Sequence, residues 1–517
     1  MGSFLRLVVA ALGWQAIQDF FRHRRVRDLG VCGLYLGAAY LVFSPSYANL
    51  DFFWDDEAFI FSNPQVINAP SWSSFWEYGG KFSKAWPLSY SVYWMMINYF
   101  PDSGMIFYKS VNIFLHALNG FVLFVIFRRI RLPRPFFLAM IFLAHPLQVE
   151  VVSWVMQLQT IIAGFFALLS MYCFLLFGKR RAIWPYTFAY LFFFLSLQAK
   201  SIAVALPVLF CYVIWYCRRP LRYYLVLVPF LLMSTQAALR SVRGTSLMLE
   251  RLNYELIETG QFARPGDRRL AANRDHGSDL NSITPWRDEH FFNFNNYLWE
   301  SRRPERSISF KRSKVLQKAI VHYPTKIVLP VGLAFIYSQA PEHPLLVGAM
   351  CFLLFGLPVV LYVLNRRRIV FAVPVLLVAT LLPVCGLSYI GFFSWSYVAD
   401  RYAYLAVIAL PLLLGIWARK SHDFAYAVKV YLVLVLCLSY WYGYKFNNPL
   451  RLYAEALNHR SDAAMYSLYF EEHLSQNLIP EAEDVLNEAA RKFPDDPKFK
   501  ADRVRLEIYK KYLKGSN

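Results

Sequence analysis

The sequence predicts an all-α polytopic membrane protein: a bundle of about 11 transmembrane helices with extracytoplasmic loops and a small α-helical domain at its C-terminal end. Three observations carry this. Of the 517 residues, 57% are hydrophobic and 18% aromatic, more apolar sequence than a soluble core requires. Arg and Lys recur in short clusters between the apolar runs: Arg24-Arg25, Arg128-Arg129, Lys179-Arg180-Arg181, Arg218-Arg219, Arg366-Arg367-Arg368 and Arg419-Lys420. From about Asn447 the apolar runs give way to the periodicity of soluble helices.

A net charge of +20 would suit nucleic acid if it lay on one surface. Here it sits between spans, where an excess of Lys and Arg marks the cytoplasmic side, so nucleic-acid binding is set aside. Alternating the loops gives outward spans near residues 29–47, 134–149, 183–199, 222–239, 369–390 and 424–444. Return spans fall near 105–127, 160–177, 202–217, 343–364 and 402–418. The N-terminus is then cytoplasmic, the C-terminus is outside, and every basic cluster falls inside. An odd count with a large early outer loop favours an enzyme or channel. A transporter of two similar halves would show repeats, and none is visible.

The seven cysteines lie in or beside apolar runs without a CxxC pair, so neither a disulfide framework nor a thiolate metal site is indicated. Residues 5–21 lack a clean apolar core and cleavage site and read as an amphipathic interfacial helix. No Asn-x-Ser/Thr sequon occurs, which favours a bacterial inner membrane over a glycosylating secretory route.

Four outer segments remain, near residues 48–104, 145–159, 240–340 and 391–401. The first holds Asp55-Asp56-Glu57 beside Phe53-Trp54 and Phe59-Ile60. Three adjacent carboxylates walled by aromatics cannot all ionise freely, which suits proton abstraction or cation binding; a hydrated turn is the simpler alternative. The insertion at 240–314 is Arg-rich and carries Phe291, Phe292, Phe294, Tyr297 and Trp299. It reads as a solvated loop, or as an aromatic and cationic wall around a phosphate or sugar. Residues 463–478, 480–493 and 497–513 each show helical periodicity. The run Ile479-Pro480-Glu481-Ala482, Val485-Leu486, Ala489-Ala490, Pro494-Asp495-Asp496 looks like the second helix and closing turn of a tetratricopeptide repeat. One such unit cannot bury its faces alone and is expected to rest on the outer loops or a partner. Two domains follow, 1–445 and 446–517.

Taken in order, a set of motifs resembles the GT-C glycosyltransferases of the transmembrane-and-tetratricopeptide (TMTC-like) type, relatives of protein O-mannosyltransferases. The set is Asp55-Asp56-(x)3-Ile60-(x)2-Asn63-Pro64-x-Val66, Trp86-Pro87-Leu88, Asn112-(x)3-His116-Ala117, His145-Pro146-Leu147-x-Val149-Glu150, Ala199-Lys200-(x)3-Val204-x-Leu206-Pro207 and Ala399-Asp400-Arg401-Tyr402-x-Tyr404-Leu405. The likeness covers nearly the whole chain, tail included. It implies a polyprenyl-phosphate-linked sugar donor and inverting transfer on the outer face. Asp55 would be the general base toward an acceptor hydroxyl, Asp56 would orient acceptor or donor, and Glu150 would face the same cleft from the second loop. A positioned carboxylate accelerates such a step by roughly 10²–10⁴-fold.

The phosphate leaving group needs a cation as charge develops. Lys200 at a span end is the first candidate, then Arg401, with Arg240 and Arg243 just after a span. Asp400-Arg401 as an internal salt bridge is the alternative for Arg401. Acceptor or sugar contacts are expected from Glu57, Trp86, His145 and Tyr402, although His145 before Pro146 also suits a span cap. The chain departs from the pattern in two places. Trp86 stands where the family has Arg before Pro-Leu, and Gln157-Leu158-Gln159-Thr160 stands where bacterial relatives carry a charged run. The sugar is therefore not carried over. No cofactor is expected: a divalent ion on the carboxylates would be chemically reasonable, but a monophosphate donor does not call for one. The expected partners are the lipid-linked donor, the bilayer and an exported protein such as a pilin docked on the C-terminal helices. The alternatives are a glycolipid or polysaccharide acceptor, and a transporter or noncatalytic scaffold.

Overall fold

The computed structural model describes residues 24–48, 53–54, 56–61, 63–77, 86–180, 183–240, 308–338, 340, 342–386, 391–418, 423–496 and 498–515. The predicted interfacial helix at 5–21, the aromatic run at 291–299, Asp55 and Arg243 lie outside the described residues, as does the side chain of Glu57. Among the described residues every regular element is helical.

Within the described residues, six helices are long and apolar enough to cross a membrane: Asp28–Tyr47, Met105–Arg129, Val155–Phe177, Leu221–Arg240, Pro344–Asn365 and Tyr426–Asn447. The pair Pro135–Leu143 and Pro146–Ser153 forms one apolar segment bent by 48°, and four shorter apolar helices occupy Ile183–Ala199, Ser201–Tyr216, Arg368–Val384 and Ala406–Trp417. Each of the eleven predicted segments thus overlaps a described helix, but only six of these helices are single elements of spanning length. Proline explains the bent pair. Pro146 has no N–H to give and its ring crowds the preceding turn, so the chain opens at His145 (φ −71°, ψ 135°). Apolar faces point outward: Leu345 is 77% and Leu364 72% exposed on Pro344–Asn365, as lipid contact requires.

A helix break leaves carbonyls without partners, and one face of Met105–Arg129 supplies them. Asn112, His116 and Asn119 share that face by their spacing of four and three. Asn112 Nδ2 donates to the carbonyls of Trp154 (2.9 Å) and Val152 (3.3 Å). His116 Nε2 lies 2.9 Å from the Leu143 carbonyl, which can only accept, so in the neutral ring Nδ1 accepts from the Tyr404 hydroxyl, also at 2.9 Å. Asn119 donates to Ile161 O (3.0 Å) and to the Tyr404 hydroxyl (2.6 Å). Gly164 gives Tyr404 its space, since a Cβ there would meet the ring at 2.6 Å.

The connecting helices carry their basic clusters at one end. Residues 46–48, 53–54, 56–60, 145–160, 200 and 391–402 lie at the opposite ends of the same helices. Beside them, the helix Ile308–Val328 leads into a stretch whose residues Leu333 to Tyr337 are buried. The helix Pro449–His459 lies past the predicted boundary at 446, yet Leu452, Tyr453 and Ala456 belong to the core of the main body. The helices Ala463–Ser475, Ile479–Lys492 and Lys498–Gly515 keep a second core around Phe470, Leu474, Leu486 and Leu506.

Candidate active site

At the end opposite the basic clusters, residues 145–160 form a hub that three other segments meet. The first arrives at Phe53. Trp54 adopts left-handed backbone (φ 55°), uncommon for a bulky residue and a mark of a fixed local conformation. Its ring is held edge-on by Phe335 (4.8 Å between centroids) and Trp395 (5.3 Å). This turn delivers Asp56, which is 2% exposed. Its Oδ1 accepts from Met156 N at 2.8 Å and its Oδ2 from Phe53 N at 3.2 Å. Met156 N belongs to the opening turn of the helix Val155–Phe177, where N–H groups lack intrahelical partners and favour an anion. Asp56 therefore fixes its turn to the start of the helix Val155–Phe177.

Glu150 and Arg401 make the second element. Arg401 N donates to Glu150 Oε2 at 3.0 Å, and its guanidinium Nη1 donates to Oε1. Both side chains are buried, at 0% and 5% exposure. The guanidinium lies 3.8 Å from the Phe392 ring centroid and 5.0 Å from those of Trp154 and Tyr402. A planar, weakly hydrated cation suits such a box. Two expectations change here. The internal salt bridge of Arg401 runs to Glu150, not to its neighbour Asp400. Glu150 is enclosed against Arg401 and does not front an open cleft.

Asp400 instead accepts from the Tyr337 hydroxyl at 2.8 Å and, at 3.5 Å, from that of Tyr442. His322 Nε2 stands 3.6 Å from Asp400 Oδ1. Burial lowers the His322 pKa below the ordinary histidine range, with Asp400 opposing that shift, and burial pushes the Tyr337 phenol well above its usual value.

Lys200 is the third element. Its Nζ donates to Thr160 Oγ1 at 2.8 Å and Gln157 Oε1 at 3.1 Å, and Thr160 donates to the same Gln157 oxygen at 2.8 Å. Gln157 and Thr160, the two ends of the uncharged run 157–160, thus both bond the lysine. Trp86 Nε1 donates to Ser201 Oγ at 3.2 Å. Trp86, Ser201 and the exposed Arg240 line one small recess. Lys200, Trp86 and Arg240 therefore share one side of the hub, with Asp56 joined to it through Met156 and Gln157.

His145 lies apart from this chemistry. It is fully buried, Nε2 lies 3.0 Å from the Ile327 carbonyl, and Nδ1 accepts from Leu147 N at 3.2 Å. Nδ1 caps the helix break and Nε2 ties it to the end of the helix Ile308–Val328, leaving neither ring nitrogen for a sugar. Tyr402 is partly exposed on the edge of the Arg401 box. The aromatic wall described here comes from Phe53, Trp54, Trp154, Phe335 and Phe392.

The sequence reading passed over two groups. Lys109 is 3% exposed and donates to Ser46 O at 2.8 Å; a lysine inside an apolar span was its signal. Trp154 is 2% exposed, and its Nε1 has no hydrogen-bond partner. Among the described residues no group of three or more His, Cys, Asp or Glu side chains is arranged to hold a metal.

No protein-family model matches this chain, and no curated protein matches it significantly.

Proposed function

We propose that this chain is a GT-C-type inverting glycosyltransferase of a bacterial inner membrane, crossing the bilayer about eleven times with its C-terminus outside. It transfers one sugar from a polyprenyl-phosphate donor to a Ser or Thr hydroxyl of an exported protein. The observation that carries this reading is the convergence of Asp56, Lys200 and the Glu150–Arg401 pair on residues 150–160, at the end away from the basic clusters.

In this reading Asp55 takes the proton of the acceptor hydroxyl as its oxygen attacks the anomeric carbon. The bond from that carbon to the phosphate oxygen breaks on the opposite face, so the configuration inverts. The electron pair leaves with the phosphate, where Lys200 and Arg240 meet the developing charge. Asp56 holds the turn that presents Asp55. The unpartnered Trp154 Nε1 supplies a further donor toward a ligand oxygen.

The C-terminal helices favour a protein acceptor. A polar groove of about 910 Å³ lies between them, lined by Tyr469, His473, Glu481, Glu488, Arg491 and Arg503, which fits a peptide docked on a tetratricopeptide-like unit. Arg460 joins this tail to the site wall by donating to Trp395 O at 2.7 Å. The test is transfer by the purified chain from a labelled polyprenyl-phosphate sugar to an envelope-protein extract. Asp55→Asn is expected to lower the rate by roughly 10²-fold or more. Label appearing only in lipid would support the glycolipid alternative, and label in no acceptor at all would contradict transferase chemistry.

A further inference from the structure

An apolar cavity among the described membrane helices lies away from the acidic turn. It holds about 750 Å³, within the usual range of small-molecule sites. Its walls give its depth. One helix contributes from Leu206 to Cys217, a second from Ile369 to Thr380, and a third from Leu405 to Ile416. Each stretch advances eleven residues, about 16 Å of helix, or roughly half of a hydrocarbon core about 30 Å thick. The groove is therefore one leaflet deep.

Its two ends differ in chemistry. Leu206 and Leu405 close the deep end, where the Thr380 hydroxyl is spent on Leu376 O at 2.8 Å. The shallow end lies among the basic clusters and is lined by Arg129, Arg131 and Arg219. Arg129 Nη2 reaches the Leu175 carbonyl only at 3.5 Å, and its buried Nε has no hydrogen-bond partner. A buried charged donor left unmatched is unfavourable. Tyr216 and Cys217, exposed beside it, leave the mouth open.

We propose that this groove binds one anionic phospholipid of the leaflet at the basic end, with an acyl chain between the helices and the phosphate on Arg129. Basic pockets between membrane helices select anionic head groups. A donor's prenyl tail entering from the acidic end would leave three arginines facing hydrocarbon, which argues for a lipid whose head lies at the arginines. The proposal does not depend on the transferase reading.

The full-length protein would be reconstituted in nanodiscs of phosphatidylcholine with a minor fraction of phosphatidylglycerol, and its retained lipids read by native mass spectrometry. The wild type is expected to retain one phosphatidylglycerol with about tenfold preference over phosphatidylcholine. Arg129→Gln should bring that preference close to parity, and Arg129→Lys should restore part of it. Ala372→Phe, filling the groove about one helical turn below its basic mouth, should release the bound lipid of either kind. Absence of head-group preference in the wild type, which needs no variant to measure, would overturn the proposal. So would an unchanged preference in Arg129→Gln, or recovery of a polyprenyl chain from the groove.

Discussion

Glu150 and Arg401 are the residues whose chemistry is most tightly constrained by their surroundings. Replacing Glu150 by Ala leaves a guanidinium enclosed by Phe392, Trp154 and Tyr402 with its buried counter-charge gone. Breaking such a pair from one side destabilises by about 3–5 kcal/mol, whereas replacing both partners with apolar residues is far milder. Thermal unfolding in detergent should therefore rank Glu150→Ala well below the double variant Glu150→Leu/Arg401→Met; equal losses would contradict the pairing. His322 sets a pH dependence. Its folded pKa lies below its unfolded value near 6.5, so the unfolded chain binds the extra proton first. Stability is then present above that value and falls as the pH drops through the window beneath it. His322→Gln should show a shallower acid-side loss than wild type, and parallel curves would exclude His322 as the source. The residue types of the site were legible in the sequence, but their pairing was not. The sequence marks Arg401 as a candidate phosphate cation with Asp400 as the nearest alternative partner, while the carboxylate that holds it lies 251 positions away.

Elements of this bundle are held at their breaks by side chains. The motif Asn112-(x)3-His116 was read as a landmark of resemblance, and the structure gives it a mechanical task at the bend near Pro146. Tyr404 completes the task only because Gly164 leaves it room. Gly164→Ala should cost about 1–3 kcal/mol through overpacking. It should also increase hydrogen exchange at residues 143–154, a readout that a distant cavity or surface change would not move. Apolar runs fixed where helices form, because burial in lipid rewards them wherever they occur. Bends and short helices escaped that reading, since they depend on where a proline meets a partner from another helix. The wall around Arg401 escaped it too: Phe335 and Phe392 sit in connecting segments whose sequences carry no spacing signal.

Across the whole molecule, one end gathers arginines and the other gathers carboxylates, Lys200 and the helical tail. One native thiol and one introduced thiol mark the two arms of a topology test. In a background lacking the other cysteines, Cys217 should react with a membrane-impermeant maleimide only from the cytoplasmic side. Ser475→Cys in the tail should react only from outside. Labelling of both from one side would contradict the eleven-span reading. The tail's first helix shares the main core, so truncation should begin beyond His459 if the body is to stay folded. The most direct measurement is intact mass spectrometry of envelope proteins from cells carrying the wild-type gene, Asp55→Asn, or no copy. The account predicts a sugar-sized mass on an exported protein that disappears in both altered strains. A sugar mass retained in Asp55→Asn but lost in the deletion would contradict Asp55 as the base, and identical masses in all three strains would contradict protein glycosylation by this chain.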